Sequence, residues 1–249
     1  MLNSATKTST LTIHNLDTFV QQQQILYDIN LSFEAGKIAF VLGQNGSGKS
    51  SLAQTIMGNP DYIATGKIYY KNQNILELSP DQRSKLGVFV SAQSPIEVNG
   101  INLANYLKLI VNYNRQVKKL EKLSARDLLV KIKSLMSSLN WDEKFLKRSL
   151  NEGMSGGERK KCEILQMLLL DSDLIVLDEI DSGLDVEAVK VICRVVSDFL
   201  TPNKILIIIS HNPKILEFFE PSSVVILKNG SIDKIGNESI ATQVFNQGF

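Results

Sequence analysis

Three short stretches of the 249-residue chain hold side chains whose spacing could do chemistry. The first, GQNGSGKS from Gly43 to Ser50, fits the pattern G-x-x-x-x-G-K-[ST]. Its glycines let successive backbone N–H groups point at phosphate oxygens, and a helix starting there adds the positive end of its dipole. Lys49 brings a mobile charge for the β- and γ-phosphates, and the Ser50 hydroxyl can ligate Mg²⁺. The phosphate cradle is thus Gly43, Gln44, Asn45, Gly46, Ser47, Gly48, Lys49 and Ser50, with Ser51 following. The second stretch is LIVLDE, Leu174 to Glu179. Four apolar residues would bury a strand whose end presents Asp178 to the metal, while Glu179 can orient or deprotonate an attacking water. Together the two stretches call for a nucleoside triphosphate.

The third stretch is NEGMSGGERKKCEILQM, Asn151 to Met167. Ser155 and Glu158 fit a capping box, S-x-x-E, which closes a helix start with its own side chains. Capping does not require Gly156 and Gly157, and a helix end with bare glycines is an anion site. The chain already has one such end after Gly43. A second makes sense if it serves the nucleotide of another subunit.

The elements that must hold these residues are legible in the apolar pattern. Ile29, Leu31 and Phe33 alternate with polar residues from Asp28 to Glu34, the period of a half-buried strand, and Ile38 to Leu42 is a continuous apolar run suited to burial on both faces. Gln21 to Gln24 reads as a polar hairpin loop. From Ile101 to Leu150 the period changes: Leu103, Tyr106, Leu107 and Ile110, then Leu128, Ile132, Leu135 and Leu139, predict a helical insert. After it the pattern predicts a helix ending at Leu170, a strand at Leu174 to Leu177, a helix from Val186 to Leu200 and a strand at Ile205 to Ile209. A hairpin turning at Asn229-Gly230 closes the series.

Bulk properties bound the function. A net charge of +1 writes no general attraction to nucleic acid or anionic lipid into the chain. The basic island Lys118, Lys119 and Lys122 reads as a solvated helix face. Cys162 and Cys193 are the only cysteines, each among apolar residues, and predict buried thiols in a reducing compartment rather than metal ligands. No apolar run approaches the ~20 residues of a membrane span. The N-terminus lacks the apolar core of a secretory signal. The expectation is a cytoplasmic protein with no direct membrane insertion.

Taken in order, Gly43 to Ser50, Gln93 after a strand at Gly87 to Val90, Met154 to Glu158, Leu174 to Glu179, Ser182 to Asp185 and His211 resemble the P-loop, Q-loop, signature, Walker B, D-loop and H-loop of the ATP-binding-cassette ATPases. The resemblance implies an α/β P-loop fold: a mixed sheet core with an antiparallel β subdomain and a helical subdomain. Residues 1–92 and 151–249 would form the RecA-like core with its β subdomain, and residues 93–150 the helical subdomain. It further implies ATP and Mg²⁺ as ligands and a transient head-to-tail homodimer in which ATP lies between one P-loop and the opposite Ser155, Gly156, Gly157 and Glu158. His211 would contact the γ-phosphate, Gln93 and Asp178 the metal, and Asp185 would reach the nucleotide across the seam. One departure concerns the base, since the position where most cassettes carry a stacking aromatic falls near Val20, with Phe19 beside it.

Within that family, NEGMSGGERKKCEILQM, IDSGLD after Glu179, SAQSPIEVNG around Gln93 and the ending FNQGF resemble the SufC-type ATPases of the Suf iron–sulfur assembly system. The resemblance implies SufB-like and SufD-like scaffold partners. No cysteine or histidine cluster here could hold a cluster, so iron chemistry would lie on those partners. The alternative is the nucleotide-binding subunit of a membrane transporter.

Overall fold

The computed structural model describes residues 10–91, 97–237 and 239–240. In chain order the strands are β1 (Thr10–Val20), β2 (Gln23–Glu34), β3 (Ile38–Leu42), β4 (Ile63–Tyr70), β5 (Gln73–Asn74), β6 (Val88–Val90), β7 (Val98–Asn102), β8 (Ser149–Leu150), β9 (Leu174–Asp178), β10 (Ile205–Ser210), β11 (Ser223–Lys228) and β12 (Ser231–Gly236). The helices are α1 (Lys49–Met57), α2 (Pro80–Lys85), α3 (Leu103–Val117), α4 (Ala125–Ser138), α5 (Gly156–Leu170) and α6 (Val186–Phe199). They fall into two compact units, one formed by Met1–Val90, Asp173–Glu179 and Leu200–Phe249, the other by Ser91–Ser172 and Ile180–Phe199. The second unit takes in α5 and α6 besides the predicted 93–150 segment.

The first unit holds two sheets. One is four-stranded and antiparallel, ordered β2-β1-β4-β5, and the other is six-stranded, ordered β12-β11-β3-β10-β9-β6. In the second sheet β11, β3, β10, β9 and β6 run parallel and β12 returns antiparallel to β11. Every residue of β9 and β10 is buried, which is why Leu174 to Leu177 and Ile205 to Ile209 read as unbroken apolar runs. Between β1 and β2, Leu11 opposes Phe33 and Ile13 opposes Leu31, so the alternating apolar residues share one face. That face joins Leu52, Ala53 and Ile56 of α1 and Val41, Val176 and Ile207 of the central strands in one apolar cluster.

Two local readings are sharpened. The polar glutamine loop shrinks to Gln21 and Gln22, with φ of 48° and 67°, because Gln23 and Gln24 already pair with Val20 and Phe19 in the β1–β2 ladder. The Asn229-Gly230 turn is present between β11 and β12 with positive φ at both residues, 49° and 78°.

In the second unit α3 and α4 begin at Asn102 and Ser124, whose side chains accept from Asn105 N and Asp127 N. Their buried faces run Leu103, Leu107 and Val111, and Leu128, Ile132 and Met136. The spacing is thus i, i+4, and Tyr106, Ile110 and Leu135 sit at its margin rather than on it. The insert is not wholly helical: β7 and β8 pair through Val98–Leu150 and Asn102–Ser149.

Candidate functional site

β3, β10 and β9 lie side by side, and their carboxyl ends bring the candidate residues together. Ser210 pairs with Leu42 and Ile209 with Asp178, so Gly43, Glu179 and His211 emerge at one level of the sheet. Ligands of open α/β sheets bind at that edge. Glu179 leaves β9 with φ of 51°, an uncommon conformation for a side-chain-bearing residue, and its N–H bonds Ile209 O at 2.9 Å. His211 Nδ1 lies 3.1 Å from Glu179 Oε1. A carboxylate only accepts, so Nδ1 is the donor of this bond.

The loop from Gly43 closes onto α1 without a side-chain cap at Gly48, whose φ is 101°. The first N–H groups of α1 are therefore left for a ligand. Gly46 has φ of 79°, and a Cβ built there would meet nothing within 4 Å: the space over it is open. Ser47 Oγ is buried without a hydrogen-bond partner among the described residues. Lys49, only 4% exposed, donates from Nζ to Gly43 O and Gln44 O, both at 2.8 Å. Burial lowers its pKa, and the nearby charges of Glu179 and Asp178 oppose that shift. A buried cation beside the uncapped first turn of α1 is what a phosphate chain requires.

Asp178 ends β9 and is 1% exposed, and Ser50 stands on the first turn of α1. Among the described residues no three His, Cys, Asp or Glu side chains group to hold a metal by themselves. One carboxylate, one hydroxyl and the oxygens of a bound phosphate chain are instead a donor set that fits Mg²⁺. Gln93, expected to assist there, lies outside the described residues.

In the second unit α5 starts at the predicted capping box. Ser155 N donates to Glu158 Oε2 at 2.7 Å and Glu158 N to Ser155 Oγ at 3.3 Å. A Cβ at Gly156 would meet nothing within 4 Å, whereas one at Gly157 would press Leu184 Cδ2 at 2.9 Å. Asp185 Oδ1 accepts from Ala188 N at 2.8 Å and so caps the start of α6. Cys162 and Cys193 are buried free thiols, each pushed up to about 12 chiefly by that burial, and take no part in the site.

The hairpin between β11 and β12 is a neighbour of the cradle that sequence reading missed. Gly230 N donates to Ser47 O at 3.1 Å, and a cavity of about 190 Å³ lies between Gln44–Ser47 and residues such as Lys228, Asn229 and Lys234. The Asn229-Gly230 dipeptide signals the turn but says nothing of what the turn touches. Near the position expected to stack the base, Phe19 and Val20 are half-buried at the end of β1.

Residues 26–182 match the family model described as ABC transporter. The chain is 38% identical over 240 residues to a probable ATP-dependent transporter ycf16 of Trieres chinensis, covering 96% of each. It is 38% identical over 242 residues to a probable ABC transporter ATP-binding protein of Streptococcus pyogenes serotype M18, covering 97% of this chain and 94% of the relative. Among solved structures, a dimeric post-hydrolysis state of the ATP-binding cassette MJ0796 bound to ADP and Pi superposes with a TM-score of 0.78 at 17% identity, over 91% of this chain and 98% of that one.

Proposed function

Because the chain belongs to the ABC transporter family and is an ATP-hydrolysing cassette, we propose that it works as a head-to-tail pair in which each α5 start completes the ATP site of the opposite subunit. Gly156 carries this reading. Nothing among the described residues occupies the space a side chain would need there, and the capping box satisfies the N–H groups of Ser155 and Glu158 while leaving those of Gly156 and Gly157 to a ligand. The room at Gly156 is left for something arriving from outside, and a γ-phosphate matches its bare amides.

In the cradle the amides of Gly43 to Ser50 and the Lys49 ammonium hold the phosphate chain, and Ser50 and Asp178 hold Mg²⁺. Bound there, Mg²⁺ would neutralise charge on the β- and γ-oxygens. Glu179 takes a proton from the attacking water, and His211, already bonded to Glu179, holds that carboxylate in place. Gln93 and Asp185 complete the set from the positions the motifs assign them.

The work done by this cycle we assign to iron–sulfur cluster assembly, with SufB-like and SufD-like scaffolds as partners. The support is IDSGLD after Glu179 and the run around Ser155. No helix among the described residues is long and apolar enough to cross a membrane. A transporter subunit is the second reading, favoured by the names of the relatives. A detergent-free pull-down of the tagged protein from its native lysate separates them. Scaffold proteins that raise its ATPase activity support the first; release only by detergent, beside a polytopic protein, overturns it.

A further inference from the structure

We propose that the Glu97–Arg159 ion pair positions the glycine start of α5, fixing where its amides point before a second subunit arrives; the proposal rests on the head-to-tail reading. Arg159 lies one turn into α5 and uses its guanidinium in two directions at once. Nε donates to Met154 O at 3.0 Å and Nη2 to Glu97 Oε1 at 2.5 Å. Met154 is the residue before the cap Ser155, so the first bond holds the peptide that leads into the capping box. Glu97 opens the segment that becomes β7, so the second bond ties that peptide to a different part of the unit.

The tie is reinforced on the same side. β7 pairs with β8, and Leu103 N donates to Arg148 O at 2.8 Å, so residues 97–103 are strapped to residues 148–159 at several points. A planar guanidinium with fixed donor directions suits this work better than a flexible ammonium. The two side chains are 31% and 45% exposed, and an ion pair in such a place contributes little to stability. Its consequence is geometric: the direction of the Gly156 and Gly157 amides is set by residue 97. Any body that displaces the segment at Glu97 re-aims the anion-facing end of α5 without touching a nucleotide.

The test uses the full chain with Glu97→Gln, Arg159→Gln, Arg159→Lys and the Gln–Gln double variant. ATPase activity is followed against protein concentration, alongside the affinity of dilute single subunits for a fluorescent ATP analogue. Thermal unfolding confirms that each variant folds. If Arg159→Gln does not fold, the shape-preserving Glu97→Gln decides alone.

Loss of this half-exposed pair should raise the protein concentration for half-maximal activity about threefold. Analogue affinity and turnover at saturating protein should stay unchanged. The double variant should be no worse than Arg159→Gln alone, and Arg159→Lys should recover only part of the loss. An unmoved midpoint, additive single effects or a parallel fall in analogue affinity would overturn the proposal. Gly156→Asp separates the two ideas: if it leaves the midpoint unmoved, the head-to-tail reading itself fails. If it removes concentration-dependent activity while Glu97→Gln does nothing, only the ion-pair role falls.

Discussion

Helices α1 and α5 both begin among glycines, yet α1 has no side-chain cap at Gly48 while α5 is closed by Ser155 and Glu158. At α1 a lysine is folded into the loop and the space above Gly46 stands open. At α5 the box satisfies the N–H groups of Ser155 and Glu158 from within the chain. An uncapped start with its own cation needs a phosphate to complete it. A capped start is held in shape without a ligand, and in the proposed pair its Gly156 and Gly157 amides receive another molecule's phosphate. The far ends also differ. Arg83 donates to Thr55 O and Ile56 O at the end of α1, and to Leu76 O and Leu78 O, from a buried position that lowers its pKa to about 10. The end of α5 receives the exposed Lys118, which bonds Leu170 O and Asp171 O.

The contrast can be broken at several strengths. Glu179→Gln removes the general base and should slow hydrolysis by about 10²–10⁴-fold while ATP still binds, trapping paired subunits in size-exclusion chromatography with ATP. Parental turnover would contradict the assigned base. Gly156→Asp puts a negative charge where a phosphate should arrive. The fold should survive, while ATPase activity at fixed protein falls by about two orders of magnitude, since like charges brought together cost several kcal/mol. Equal activity would mean the α5 end is not an anion site.

Smaller effects test the helix ends as structure. Arg83→Met strands carbonyls in the interior and should cost about 3 kcal/mol in urea unfolding. Lys118→Met, at the exposed counterpart, should stay within about 0.5 kcal/mol. Similar losses at both would erase the distinction between a buried and a solvated closure. Ser155→Ala should cost about 1 kcal/mol, and more if Glu158 loses its reciprocal bond.

Residues that act through local geometry were legible in the chain. The turn at Asn229-Gly230, the box at Ser155 and Glu158 and the cradle at Gly43 to Ser50 each depend on backbone rules spanning a few residues. Burial on both faces made β3, β9 and β10 visible as apolar runs. β4, β5 and the two-residue β8 were not, because their polar or mixed sequences are strands only through their partners. Asp185 read as a nucleotide contact, and in this subunit it caps α6, a role its sequence position also allows.

The candidate cradle at Gly43 to Ser50, the carboxylates Asp178 and Glu179 and the capping box at Ser155 and Glu158 were all legible in the chain, because each pattern consists of particular side chains at fixed short spacing. That Gly43, Glu179 and His211 share one sheet edge, that His211 bonds Glu179, and that Arg159 reaches Glu97 became visible in the folded chain alone. Those facts depend on strand order and on long-range register, which arise from burying several apolar faces at once and leave no mark at any single spacing along the chain.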